Sequence, residues 1–378
     1  MRLNLMITMT GHIMKHIVVD ITAHGFGHVA QTAAVLNALD GSNIRFTIRS
    51  SAAETVLRER IRHPFTLIPY QQDTGMLMHD ALRVDAAASM RWYADFHATY
   101  STRKTQAAVE LERLQPDLLF ANVPYLSLDA AGELGTPAIA LCSLNWADVF
   151  HSYCNALPGA DKIRDQILHA YAQAEIFLQP TPSMDMHTML HTHPIAPIAA
   201  IGQRKPEWLR EASGMPAHTR FVLVALGGLG MEYPLAHWPQ LPDVCWIFPD
   251  TALTQARADF IPASLFGLDY VDLLASCDVV MTKTGYGTQT EAVVNQVPTL
   301  CITRHGWPEE PNLPHWHTQH GEVSFTDWRT IQAGDFGKHI TALLETTWHK
   351  PFVVPTGARD AAAVLQQQIS PMPATVLV

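Results

Sequence analysis

Three short stretches of this sequence combine glycine with residues that could hold an anion or move a proton. They are Thr22-Ala-His-Gly-Phe-Gly-His28, Gly227-Gly-Leu-Gly230 and Lys283-Thr-Gly-Tyr-Gly-Thr-Gln-Thr-Glu291. Each follows an apolar run that reads as a buried strand. Where a strand passes through glycines into a helix, backbone N–H groups and the positive helix end converge on one point, which suits a phosphate or diphosphate. In the last stretch Thr282–Gly287 reads as the turn and Thr288 as the start of a helix that stops before Pro298. Glu291 then lies about one turn inside that helix, where its carboxylate could accept from a vicinal diol such as a ribose. The same letters also make a capping box, Thr288-x-x-Glu291, which needs no ligand. In the first stretch His28 begins a helix, where the dipole disfavours the imidazolium. A neutral imidazole facing a cleft suits deprotonation of a hydroxyl; an ordinary helix-start histidine is the alternative.

Two further clusters follow strands. Arg304, Glu309, Glu310 and Asn312 lie in one loop, and Asn145, Trp146 and Asp148 in another. Acids and amides beside an aromatic are sugar-binding chemistry, though the first loop also reads as a solvated surface. The sequence has no Asp-x-Asp, no HExxH and no P-loop. Two histidine groups, 187/191/193 and 315/317/320, have prolines nearby and read as irregular loops without fixed ligand geometry, so no bound metal or resident cofactor is expected. Gly25-x-Gly27-x-x-Ala30 fits the dinucleotide fingerprint, but the second strand ends in Arg49-Ser-Ser rather than a ribose-binding acid. Arg49 leaves open an NADP-linked oxidoreductase.

The elements that must position these residues alternate as strand and helix. Strands are expected at 16–21, 44–48, 65–68, 117–121, 137–141 and from 176, with helices at 29–39, 52–60, 126–134 and 160–174 and a long helix or pair over 86–114. Prolines then punctuate 180–215, where the domain junction is expected. Strands resume at 221–226, 245–248, 279–281 and 297–302, and helices near 335–346 and 357–368 close the chain. The expected architecture is α/β, two Rossmann-like parallel-sheet domains facing across a cleft, at 14–195 and 205–355, with a helix at 356–370 packing back on the first. At 378 residues and 48% hydrophobic the chain can bury two cores, and no apolar run reaches the ~18–20 residues of a membrane span. A net charge of −10 argues against a nucleic-acid partner. Five scattered cysteines read as reduced thiols of a cytoplasmic protein. The first thirteen residues read as an upstream-start extension.

His24-Gly-Phe-Gly-His28, Asn145-Trp146, Lys283-Thr-Gly-Tyr-Gly-Thr-x-x-Glu291, Arg304 and Glu309-Glu-Pro-Asn312 together resemble the glycosyltransferase-like domain that precedes the sugar-kinase module of plant arabinokinases, within the GT-B superfamily. More distantly the chain is similar to MurG-type and UDP-glycosyltransferase enzymes. The resemblance runs from Met14 over nearly the whole chain. It implies a metal-independent transferase for a nucleotide-diphosphate sugar, with a UDP-sugar the expected donor and the acceptor open. Glu291 matches the ribose-binding acid. Gly227, Gly228 and the turn Thr284, Gly285, Tyr286, Gly287, continued by Thr288, match donor-diphosphate backbone. Arg304, Glu309, Glu310 and Asn312 fall where relatives hold the donor sugar, and the nucleobase would lie near Phe266–Val271. His24, Gly25, Phe26, Gly27, Asn145 and Trp146 would line the acceptor side, with His28 or Asp148 as base. Phe26 departs from the glycine-richer loop of MurG and would narrow that side; Leu226 replaces a hydroxyl residue of many relatives. A non-catalytic sugar-nucleotide-binding protein and an epimerase are rival readings on the same fold.

Overall fold

The computed structural model describes residues 14–156, 158–227 and 231–370. The chain opens with Lys15–Ile21 (β1), Phe26–Ala38 (α1), Ile44–Ser50 (β2), Glu54–Arg60 (α2) and Phe65–Pro69 (β3). Two helices, Ala86–Ala98 (α3) and Tyr100–Leu114 (α4), lead to Leu118–Asn122 (β4). Leu126–Leu134 (α5), Ala138–Leu141 (β5), Trp146–Cys154 (α6), Ala160–Tyr171 (α7), Ile176–Pro180 (β6) and Thr192–Ile195 (β7) complete the first half. The second half runs through Pro206–Ser213 (α8), Arg220–Ala225 (β8), Val244–Phe248 (β9), Phe260–Pro262 (β10), Tyr270–Ser276 (α9), Val279–Lys283 (β11) and Tyr286–Val294 (α10). Thr299–Ile302 (β12), Asn312–His320 (α11), Val323–Thr326 (β13), Trp328–Ala333 (α12) and Gly337–Glu345 (α13) follow, and Gly357–Ile369 (α14) comes last.

These strands form two sheets, β3-β2-β1-β4-β5-β6-β7 and β10-β9-β8-β11-β12-β13. Neighbours in both run parallel. Parallel sheets are covered by helices on both faces, which is why Ile17–Ile21, Leu118–Asn122 and Val279–Met281 read as unbroken apolar or buried runs. Strand order reverses between β1 and β4 and again between β8 and β11. Ligand crevices open at the carboxyl ends of such switch points. Register fixes what meets there. Ile21 lies opposite Asn122, and Thr282 opposite Ala225, so the loop after β1 adjoins Asn122 and Lys283 adjoins Gly227.

Several boundaries differ from the sequence expectation. α1 starts at Phe26, not Val29, because Gly25 takes φ 85° and serves as N-cap, so Phe26-Gly27-His28 is the helix's first turn. α10 starts at Tyr286 with Gly285 as N-cap, so Thr288 and Glu291 form no capping box. Gln289 Oε1 instead accepts the Gly285 N–H at 2.8 Å. The stretch 180–215 carries β7 and α8; β7 is an edge strand, where Pro194 is tolerated. His315, His317 and His320 lie on α11, whose prolines 311 and 314 occupy the N-cap and first turn, where no intrahelical N–H is lost. His317 is buried against Gln289. Among the described residues no three His, Cys, Asp or Glu side chains converge as a metal site, and no helix is long and apolar enough to cross a membrane. α14 packs on α1, placing Ala361, Leu365 and Ile369 in the core with Ile17, Val19 and Leu36.

Candidate active site

On the first half, His28 is 8% exposed in the first turn of α1. Its Nδ1 lies 3.0 Å from Asn122 Oδ1. Asn122 Nδ2 faces the His28 carbonyl and Gln31 Oε1, so the amide oxygen is the atom left for the ring. Nδ1 is therefore the protonated nitrogen and Nε2 carries the lone pair. Burial holds the ring's pKa down at about 4, which keeps it neutral near pH 7. His24 is held at about 3, first by burial and then by His28 and Arg304. The fully buried Trp146 meets His24 edge-on at 5.1 Å and His28 at 5.9 Å. Its indole N–H donates to Asp73 Oδ2 at 2.9 Å, and Thr22 Oγ1 donates to Asp73 Oδ1 at 2.6 Å. Burial pushes the Asp73 carboxyl up to about 6.

On the second half, β8 and β11 end side by side. Gly227 has φ 95°, and a Cβ there would lie 3.9 Å from Lys283 Nζ; one on Gly285 would lie 3.6 Å from the same atom. Lys283 therefore stands between the two glycine turns. Burial lowers its pKa to about 7, with Arg304 adding to the effect. Gly287 is open to added atoms. The Glu291 carboxylate has no hydrogen-bond partner among the described residues, and burial raises its pKa to about 7 against the pull of Arg60 from the first half. Thr288 Oγ1 pairs with the Tyr270 hydroxyl at 3.0 Å, which puts the start of α9 beside this face of α10. Gly228 lies outside the described residues.

A loop from the second half, 303–312, closes against the first. Arg304 lies over the Trp307 ring at 4.0 Å. Trp307, 3% exposed, stacks parallel to His24 at 6.4 Å and belongs to the first half's core. Glu309 accepts from Trp307 Nε1 at 2.8 Å and from Ser143 Oγ at 3.0 Å. Asn312 Nδ2 donates to Ser183 O at 2.8 Å, also across the two halves.

The structure reassigns several expected site residues. Asp148 is a poor base: its carboxylate accepts from Arg164, Asn145 and Thr188, and Asn145 itself is the buried N-cap of α6. Glu310 faces inward, bracing Thr284 Oγ1 and the Arg304 N–H. The Tyr286 hydroxyl meets Ile198 N and Thr181 O, so the side chain fastens the connecting segment and only its backbone faces the turn. Phe26 is 50% exposed; the aromatic seated over His24 is Trp307. Arg49 is 1% exposed and bidentate to Asp20, both contacts 2.6 Å, which removes it from any cofactor phosphate. Asp73, Asn122, Ser143 and Trp307 were not foreseen. Lys283 stood in the third glycine stretch, a cation ending a buried strand just before a turn, but without a role of its own.

No family model matches the chain. The L-arabinokinase of Arabidopsis thaliana is 23% identical over 306 residues, covering 79% of this chain and 29% of that protein. The chain thus spans less than a third of the curated relative's length. Among solved structures, the glycotransferase of kitacinnamycin aligns with TM-score 0.61 at 16% identity over 94% of both chains. The calicheamicin glycosyltransferase CalG4 aligns with TM-score 0.59 at 13% identity over 94% of both. The spinosyn rhamnosyltransferase SpnG complexed with thymidine diphosphate aligns with TM-score 0.54 at 16% identity, over 94% of this chain and 96% of that one. The fold is GT-B, two facing parallel-sheet domains, as the alternation of strands and helices and the family resemblance implied.

Proposed function

We propose that the chain is a glycosyltransferase that moves a sugar from a nucleotide-diphosphate sugar, a UDP-sugar by preference, to a hydroxyl acceptor without a bound metal. The observation that carries the reading is the facing of two unlike sites across one GT-B cleft. One offers a neutral imidazole with a free Nε2, His28. The other offers a glycine-lined helix end with an unpartnered carboxylate, Glu291. In the step proposed, the acceptor oxygen bonds to the sugar's anomeric carbon and passes its proton to His28 Nε2. The bond from that carbon to the diphosphate oxygen breaks, and its electron pair leaves with the nucleoside diphosphate. Backbone N–H groups at Gly285–Gly287 stabilise the growing charge. Glu291 accepts from the ribose diol. His24 walls the acceptor side, with the fully buried Trp146 bracing it edge-on from behind. Five free, buried cysteines suit a reducing compartment such as the cytoplasm.

Isothermal titration with UDP-glucose and other nucleotide sugars tests the donor half. Binding is expected in the wild type and weakened about tenfold or more in Glu291→Ala. The absence of binding by every nucleoside diphosphate and nucleotide sugar to a folded sample would falsify the reading. One observation favours a second reading, a sugar-nucleotide-binding protein without turnover. The partner of His28 is the amide Asn122, which supplies no negative charge to an imidazolium. Donor binding that His28→Ala leaves intact, with no sugar release or transfer by the wild type, selects it.

A further inference from the structure

The acceptor side of the cleft is closed from two directions. From the first half, the segment 70–85 lies directly on the rings beside His28. Gly75 in that segment has φ 59°, and a Cβ there would stand 2.6 Å from the Trp146 ring and 2.9 Å from the His24 ring. The segment therefore fits against both rings only because residue 75 has no side chain. Asp73 fastens it, accepting the Trp146 indole N–H at 2.9 Å and the Thr22 hydroxyl at 2.6 Å. From the second half, Trp307 lies parallel to His24, ring centres 6.4 Å apart, with the Tyr153 ring 6.3 Å away. Trp307 is 3% exposed and shares a core with Met76 and Trp146. Its own loop holds it there. Glu309 accepts the Trp307 indole N–H at 2.8 Å and the hydroxyl of Ser143, on the first half, at 3.0 Å.

We propose that the acceptor meeting His28 is compact and polyhydroxylated, a free monosaccharide or a polyol, and that Trp307 sets its size limit. This rests on the transferase reading and names the acceptor class of that same site. The bond changes are those of the transfer above: the acceptor oxygen joins the anomeric carbon, its proton goes to His28 Nε2, and the diphosphate leaves with the electron pair. A flat polyphenol or a macrocycle would have to displace the Trp307 ring, which takes a hydrogen bond from the buried Glu309 carboxylate. A sugar ring asks for far less volume. The groups around Trp307 also suit it, an aromatic face beside an imidazole, a carboxylate, a hydroxyl and the Arg304 guanidinium.

The test gives the full chain UDP-glucose, or another nucleotide sugar that titration shows it to bind, with three sets of acceptors. These are hexoses and pentoses, then glycerol and inositol, then the flavonol quercetin, with products read by mass. The wild type is expected to glycosylate at least one sugar or polyol and not quercetin. Trp307→Leu is expected to lose about tenfold or more in kcat/KM for the compact acceptor, through a raised KM. The same variant is expected to bind quercetin about tenfold or more tighter by calorimetry, a readout that needs no turnover. Trp307→Phe, which restores a ring, is expected to return both values to within about threefold of the wild type. Thermal unfolding in parallel identifies the folded variants. Quercetin glycosylated by the wild type as fast as any sugar or polyol overturns the proposal, whether or not the variants fold, and leaves the transferase reading standing. Equal quercetin affinity in wild type and folded Trp307→Leu also overturns it, as does hydrolysis with no transfer to any sugar or polyol. No product from any nucleotide sugar, with water or acceptor, removes the transferase reading and the acceptor class with it.

Discussion

Glu291 illustrates how a site residue can weaken the fold that holds it. Its pKa rises from an ordinary carboxyl value to about 7 because burial disfavours the charged form. A raised acid pKa means the folded state binds the proton more tightly than the unfolded one. Stability is therefore fully present below the unfolded pKa and is lost as pH rises towards 7. Glu291→Gln is expected to raise stability at pH 8 by about 1–3 kcal/mol, with the gain vanishing near pH 4, as thermal unfolding at the two pH values will show. The same variant is expected to weaken donor binding. His28 has the opposite shift, and its low pKa keeps the free base available well into the acid range. Transfer rate is expected to hold down to about pH 5 where Glu291 permits, with no acid limb near 6.5 assignable to His28; a pH profile of Glu291→Gln separates the two groups. At this scale the sequence marked candidates where chemistry and glycine coincide, as at His28 and Glu291. It was silent on Asp73, whose flanking segment 70–85 has no period to read, and on Asn122, which looks like the polar end of a strand until the register sets it beside His28.

Secondary-structure elements were legible in type and less so at their ends. The buried parallel strands have few alternatives as sequences, so β1, β4, β8 and β11 were expected close to where they lie. Helix starts failed where glycine does the capping. A turn of Gly25 or Gly285 carries no side-chain signal, and the polar residues after it misled, giving Thr288-x-x-Glu291 a role that Gln289 fills. The loop 303–312 was read for Arg304, Glu309, Glu310 and Asn312 as sugar contacts. Its anchors are long-range: Glu309 to Ser143, Asn312 to Ser183 and Trp307 into the other half's core. No local pattern encodes contacts of that kind. Ser143→Ala leaves one oxygen of a buried carboxylate without its donor and is expected to destabilise by about 1–3 kcal/mol. Glu309→Gln in the same background is expected to recover part of that loss, and a double-mutant cycle by denaturant unfolding measures the coupling.

At the scale of the molecule, the two sheets place their switch points face to face, and each supplies one half of the proposed reaction. The division into halves was legible because the alternation of strand and helix stops at 180–215 and restarts. Strand order was not, since β7 adds an edge within the supposed junction. The last helix returns to the first half, and Leu365 lies fully buried among residues of β1 and α1. Leu365→Ala is expected to cost about 2–5 kcal/mol and to lower the unfolding midpoint of the first half, read by tryptophan fluorescence from Trp92 and Trp146.

That returning helix also imposes a schedule on synthesis. One face of the β1–β4 sheet stays uncovered along part of α1 until α14 leaves the ribosome, long after β7 is complete. At ~5–20 residues per second the wait is roughly ten to thirty seconds. During that interval the nascent first half presents Ile17, Val19 and Leu36 without their final partners, and holdase chaperones have their best opportunity to bind.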